Sequence, residues 1–128
     1  MRPAAVVAVA CLIFSAACAA PGRARRDDKW RKVEFDTAQL DAEGLRGPPD
    51  GKVALSYEFA IPNTAVHKAE VKTIDPTVQF MPGSRGRIGA VRGQCLSIGS
   101  THQENYRQVL RALAELPYVE RIIECHFE

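Results

Sequence analysis

Hydrophobic and polar positions alternate most regularly between Val53 and Ile61. Val53, Leu55, Tyr57, Phe59 and Ile61 are separated by Ala54, Ser56, Glu58 and Ala60. A period of two places the first set on one face of a β-strand, and Pro62 ends it. Between Tyr106 and Leu116 the period changes. Tyr106, Val109, Leu110, Leu113 and Leu116 recur at helical spacing, with Arg107, Gln108, Arg111 and Glu115 on the opposite side. This predicts an amphipathic helix that stops at Pro117, with Thr101 and Glu104, or Ser100 and Gln103, as a capping box.

Weaker patterns fill the intervals. Asn63 or Thr64 caps a helix over Ala65 to Ile74 with Val66 and Ala69 inward, and Asp75-Pro76 ends it because a residue before proline is pushed out of the helical region. Thr77 to Met81 reads as a short strand carrying Val78 and Phe80, and Gln94 to Gly99 as a third strand beyond a glycine-rich turn. Tyr118 to Phe127 reads as a fourth, with Val119, Ile123, Cys125 and Phe127 on one face and Ile122 on the other. Upstream, Asp36 with Gln39 predicts a short helix near Gly44, followed by the loop Gly47-Pro48-Pro49-Asp50-Gly51.

Strand, helix, strand, strand, helix, strand is the order of a ferredoxin-like βαββαβ fold. It predicts an α+β domain at residues 52–128, a four-stranded antiparallel sheet with two helices on one face, behind a basic tether and loop at 19–51. The uncovered sheet face, with Ser56, Glu58, Gln79 and Ile122, is then the natural docking surface for a protein partner or a second copy of the chain.

The first twenty residues follow another pattern. Arg2 precedes an unbroken apolar run from Ala4 to Phe14, and small residues follow in Ser15-Ala16-Ala17-Cys18-Ala19-Ala20. The run falls short of the roughly 18 residues a membrane helix needs and matches a signal peptide, here residues 1–18. Ser15-Ala16-Ala17-Cys18 resembles the lipobox of bacterial lipoproteins. That resemblance implies that Cys18 is lipidated and becomes the new N-terminus, anchoring the protein to a bacterial membrane on its periplasmic or outer side. Cleavage after Ala19, with Ala17 and Ala19 as the small residues, is the alternative and gives a soluble periplasmic or secreted protein.

Charge changes the picture in one place. The chain carries 17 basic and 15 acidic residues, but Arg23, Arg25, Arg26, Lys29, Arg31 and Lys32 crowd behind the leader against Asp27 and Asp28. Such a stretch is a solvated tether, and on an anionic membrane each basic residue adds about 1 kcal/mol of attraction. Arg23-Ala24-Arg25-Arg26 also resembles a furin-type processing site of eukaryotic secreted proteins. From Val53 onward basic and acidic residues balance, which argues against nucleic acid as a partner.

Candidate chemistry is sparse. Arg85, Arg87 and Arg92 on the turn between strands two and three fall at the same end of the sheet as Asn63 and Thr64, a candidate anion site at a helix start; the plainer reading is a solvated turn whose arginines keep it soluble. His102, Cys125 and His126 fall at the other end and are possible metal ligands, without a C-x-x-C or H-x-x-x-H spacing to fix them. Cys95 and Cys125 fall at opposite ends of strands separated by strand one, about 17 Å apart, where a disulfide needs Cα atoms within about 7 Å. No nucleophile and base come together, and no cofactor fingerprint is present. The expected function is an exported, lipid-anchored accessory or binding protein without a catalytic site; the alternative is a small metal-binding protein or enzyme using His102, Cys125 and His126.

Overall fold

The computed structural model describes residues 29–126. In chain order these form β1 (Leu45–Arg46), β2 (Val53–Ala54), β3 (Ser56–Pro62), α1 (Ala65–Ile74), β4 (Gln79–Met81), β5 (Gln94–Ser100), α2 (Tyr106–Glu115) and β6 (Ile123–Cys125). The protein is α+β. β1 and β2 form a small antiparallel hairpin, and the other strands form an antiparallel sheet in the order β4-β5-β3-β6.

The alternation along β3 does what its period requires. Tyr57, Phe59 and Ile61 are fully buried and join Val71 of α1 and Leu110, Leu113 and Ala114 of α2 in a common core. Residues opposite one another in an antiparallel pair share a face. The pairs Ile61–Cys95, Phe59–Ser97 and Tyr57–Gly99 therefore put Cys95, Ser97 and Gly99 on the core side of β5. α1 begins at Thr64, whose hydroxyl accepts the His67 N–H at 3.2 Å. This phase turns Val71 and Ile74 inward, so the expected inward residues are corrected: Val66 is 76% exposed and Ala69 is exposed.

The start of α2 also departs from expectation. Its N-cap is Asn105, in the left-handed region at φ 57° and without a side-chain cap bond. The residues of the expected capping box serve tertiary contacts instead. Thr101 is buried, accepting the Leu55 N–H at 2.9 Å and donating to the Gly44 carbonyl at 2.6 Å. Gln103 turns its amide inward, donating to the Ser100 carbonyl at 2.8 Å and to Asp75 at 3.1 Å. Asp75 is fully buried; it also takes the Tyr57 hydroxyl on Oδ2 and the Thr77 N–H and hydroxyl on Oδ1, at 3.0 and 2.6 Å.

Residues ahead of β3 contribute to the same core. Leu40 is buried, and Trp30, Val33 and Phe35 pack against the cluster, with Phe35 stacked on Tyr57 at 6.2 Å between ring centroids. The helix expected near Asp36 is a single 3-10 turn, Thr37–Gln39. Val33 bridges Ile122 in parallel: the Ile122 N–H donates to Lys32 O at 2.7 Å and the Glu34 N–H to Ile122 O at 2.9 Å. This pairing corrects the fourth strand, which begins only at Ile123 and leaves Ile122 fully buried in the core. Lys32 reaches past the end of α2 and donates to the carbonyls of Leu116 at 3.2 Å and Val119 at 2.7 Å. A cation over carbonyls at a helix C-terminus is favourable on charge and on hydrogen bonding.

Candidate functional site

The sheet face away from the helices is covered in part. The segment between β4 and β5 folds back across it. There Glu58 stands between Ile98 of β5 and Ile123 of β6 and is only 3% exposed. Its carboxylate accepts the Ile88 N–H at 2.7 Å. Gly86 lies against the same patch: a Cβ there would stand 2.8 Å from Leu96 Cδ1 and 3.1 Å from Glu58 Oε1, and its φ of +59° disfavours a side chain in any case. Leu96 beneath is 3% exposed. Of the four residues expected on a docking face, Gln79 is exposed, Ser56 is half-buried, and Glu58 and Ile122 are buried.

Cys125 shares this face, opposite Ser56 and beside Glu58. Burial, then the hydrogen bond to Glu58 and its negative charge, push the thiol up to about 11, with Arg87 acting in the opposite direction. A thiol so held is a poor nucleophile at neutral pH, because the thiolate is the reactive form. Cys95 is buried on the other face, opposite Ile61, five residues along β3 from the Ser56 that faces Cys125; both cysteines are free.

Beside the patch is a cleft of about 330 Å³. It is lined by Ala60 and Gln94 of the sheet, by a wall of Ile88, Gly89 and Val91 from the covering segment, and by a second set, Tyr118, Glu120 and Arg121, from the turn after α2. Both walls are fastened. The Val91 N–H donates to Gln94 Oε1 at 3.0 Å. Tyr118 donates to Glu70 of α1 and sets its ring edge-on to His67 at 4.7 Å. Burial, then Glu70, raise the Tyr118 phenol above its ordinary value, so it remains a donor at physiological pH. Arg121 is bound by Glu34 through two nitrogens at 3.1 and 2.7 Å. Val91 is 59% exposed, an apolar group at the mouth. The lining is a mixture of apolar surface and fixed polar groups, suited to holding a small apolar group with an anionic edge near Arg121.

The remaining sequence candidates are distributed as follows. Arg92 neighbours Gly93, whose carbonyl accepts the Asn63 N–H at 2.9 Å, so Arg92, Asn63 and Thr64 lie at one end of the sheet. Arg85 is exposed on the covering segment, while Arg87 acts on Cys125 over the sheet, away from Asn63. His102 is exposed, its N–H on Ser100 Oγ at 3.2 Å, and borders a shallower hollow with Ala42, Glu43 and Glu104. Ser100, Ser56 and Cys125 form a row across the strands, and His102 follows Ser100 by two residues. His126 Nε2 is 3.9 Å from Glu124, which is bonded to Arg46. Among the described residues no three His, Cys, Asp or Glu side chains come together as a metal set. Cys18 lies outside the described residues. None of these residues singled out the Glu58 patch; its one sequence signal was a carboxylate in mid-strand, which reads as solvated unless the covering segment is known.

No protein-family model, curated protein or solved structure matches this chain.

Proposed function

We propose that this chain is an exported, lipid-anchored accessory protein of a bacterial membrane, held by Cys18 and its basic tether, whose domain binds a small ligand or a partner's side chain and performs no chemistry. The observation that carries the binding half is the cleft between the covering segment and the Tyr118–Arg121 turn, where exposed Val91 and bonded Arg121 share one mouth. The anchoring half stands on the apolar run from Ala4 to Phe14 and the small residues ending at Cys18. The order β3-α1-β4-β5-α2-β6 with the sheet order β4-β5-β3-β6 supports reading the domain as ferredoxin-like. That arrangement hosts many binding modules and selects none of them.

Intact mass of the protein from bacterial membranes tests the anchor. A diacylated Cys18 at the N-terminus is expected; a mass beginning at Ala20 leaves a freely soluble protein, and retained Met1 removes export altogether. Anilinonaphthalene sulfonate, apolar with one anionic edge, tests the cleft. Its fluorescence should rise with the wild-type protein and fall back with Val91→Asp; an equal rise with both would place the dye elsewhere and sink the cleft as the binding site.

A further inference from the structure

Glu58 is a carboxylate on the side of the sheet that a strand ordinarily gives to solvent, yet it is nearly sealed from water. The residues directly opposite it, Ile98 and Ile123, are apolar. A buried charge is tolerated only when hydrogen bonds replace its lost hydration. Here the covering segment supplies one, the Ile88 N–H. The segment presses closest at Gly86, over Leu96 and Glu58, whereas a Cβ at Gly83, Gly89 or Gly93 would meet no atom within 4 Å. Its far end is tied to the sheet as well, with Ala90 buried, the Val91 N–H on Gln94 Oε1 and the Gly93 carbonyl taking the Asn63 N–H, so the bond that holds its middle down over the sheet is the one between Ile88 and Glu58.

The chemistry of the pin decides what happens when the segment lifts. With an apolar residue at position 58, lifting would only expose hydrocarbon to water. With Glu58, lifting returns a carboxylate to water and recovers its hydration. The same residue thus holds the closed form and makes the open form accessible. Since Ile88, Gly89 and Val91 are one wall of the cleft, the segment cannot lift without opening it.

We propose that residues 83–93 are a flap latched by Glu58, and that this latch regulates the cleft. The inference rests on the reading of the cleft as a binding site. A ligand held by the closed wall and the latch stabilise one another, and the coupling runs both ways. The Cys125 thiol is hydrogen-bonded to Glu58 and Arg87 acts on that thiol, so both ionisable groups belong to this patch; the bond that joins the segment's backbone to it is the Ile88 N–H on Glu58.

The test is amide hydrogen exchange on the full mature chain, wild type, Glu58→Gln and Gly86→Ala, with and without anilinonaphthalene sulfonate. Glu58→Gln replaces a charge-assisted bond by a neutral one, and Gly86→Ala sets a Cβ against Leu96 and Glu58 Oε1, straining the segment away from the sheet while the carboxylate itself is kept. In both variants the Ile88 amide should exchange about ten-fold faster, while the paired amides of β3 and β5 keep their wild-type protection. The dye should slow Ile88 exchange in the wild type and bind more weakly to both variants. Unchanged Ile88 exchange in both variants, or a rise shared equally by the β3 and β5 amides, overturns the latch. Dye binding undiminished in the variants overturns its regulation of the cleft. A wild-type protein that fails to bind the dye, with Ile88 exchange still locally accelerated in the variants, removes the binding site and leaves the latch.

Discussion

Replacing Tyr57 by Phe removes a single oxygen from the centre of the molecule, and the structure says what that oxygen holds. Tyr57 is fully buried, and its hydroxyl donates to Oδ2 of Asp75, itself fully buried. The other donors to Asp75, from Thr77 and Gln103, lie on Oδ1. Burial first, then the charge of Asp75, raise the phenol far above its ordinary value, so it is a donor at physiological pH. Phe keeps the ring and its stacking on Phe35 and Phe59, with centroids 6.2 and 6.3 Å away. The loss is therefore the bond to Asp75 together with the longer one, 3.4 Å, that the Tyr57 oxygen accepts from Gln103 Nε2. A bond to a charged group is worth about 1.5–3 kcal/mol. For a domain of this size that lowers the melting temperature by at least about 6 °C. Urea unfolding followed by circular dichroism gives the free energy directly, and a cycle with Gln103→Ala should show coupling of about 0.5 kcal/mol or more, since both residues serve one carboxylate. A Tyr57→Phe protein within about 0.5 kcal/mol of wild type would refute the assignment of this bond as a main restraint on the buried acid.

Three further outcomes are expected. Ser97→Ala should stabilise the protein by about 1 kcal/mol in urea, because the Ser97 Oγ is buried on the core side without a hydrogen-bond partner. Leu40→Ala should cost about 2–5 kcal/mol in the same assay, because Leu40 is a core residue although it precedes β3; a change near zero would return the core to residues after 52. The alkylation rate of Cys125, read by peptide mass analysis, should rise through about pH 11, and at pH 8 should be about 100-fold below that of an exposed thiol, as two pKa units require. The sign follows from the raised value: the folded state holds this proton more tightly, so its contribution is whole below the unfolded value near 9 and is lost as pH rises through about 11.

What could be read from the sequence was what periodicity encodes. β3, α2 and β5 came from alternation or helical spacing, and α1 from its cap and the proline after it. The position of Cys95 and Cys125 at opposite ends of β3 followed from strand order. The rest needed contacts that leave no local period. Trp30, Val33, Phe35 and Leu40 are spaced irregularly because each enters the core from a loop, so nothing in their pattern distinguished them from a tether. α1 was found but turned the wrong way, since one buried residue, Val71, gives too little amphipathic contrast to set its phase. Glu58 and Ile122 were misplaced for one reason: the burial of each is decided by a distant segment, residues 83–93 for the first and Val33 for the second.

The parallel bridge between Val33 and Ile122 also sets an order in time. Lys32 closes contacts with residues 84 and 87 positions away. During synthesis the segment around Lys32 and Val33 must therefore wait for Leu116 to Ile122 before its contacts can complete. β6 begins four residues after Val119 and arrives just as late. If the chain is exported as proposed, with its N-terminus leading, this domain would thus stay unfinished until Val119 and β6 had crossed, and would close only on the far side.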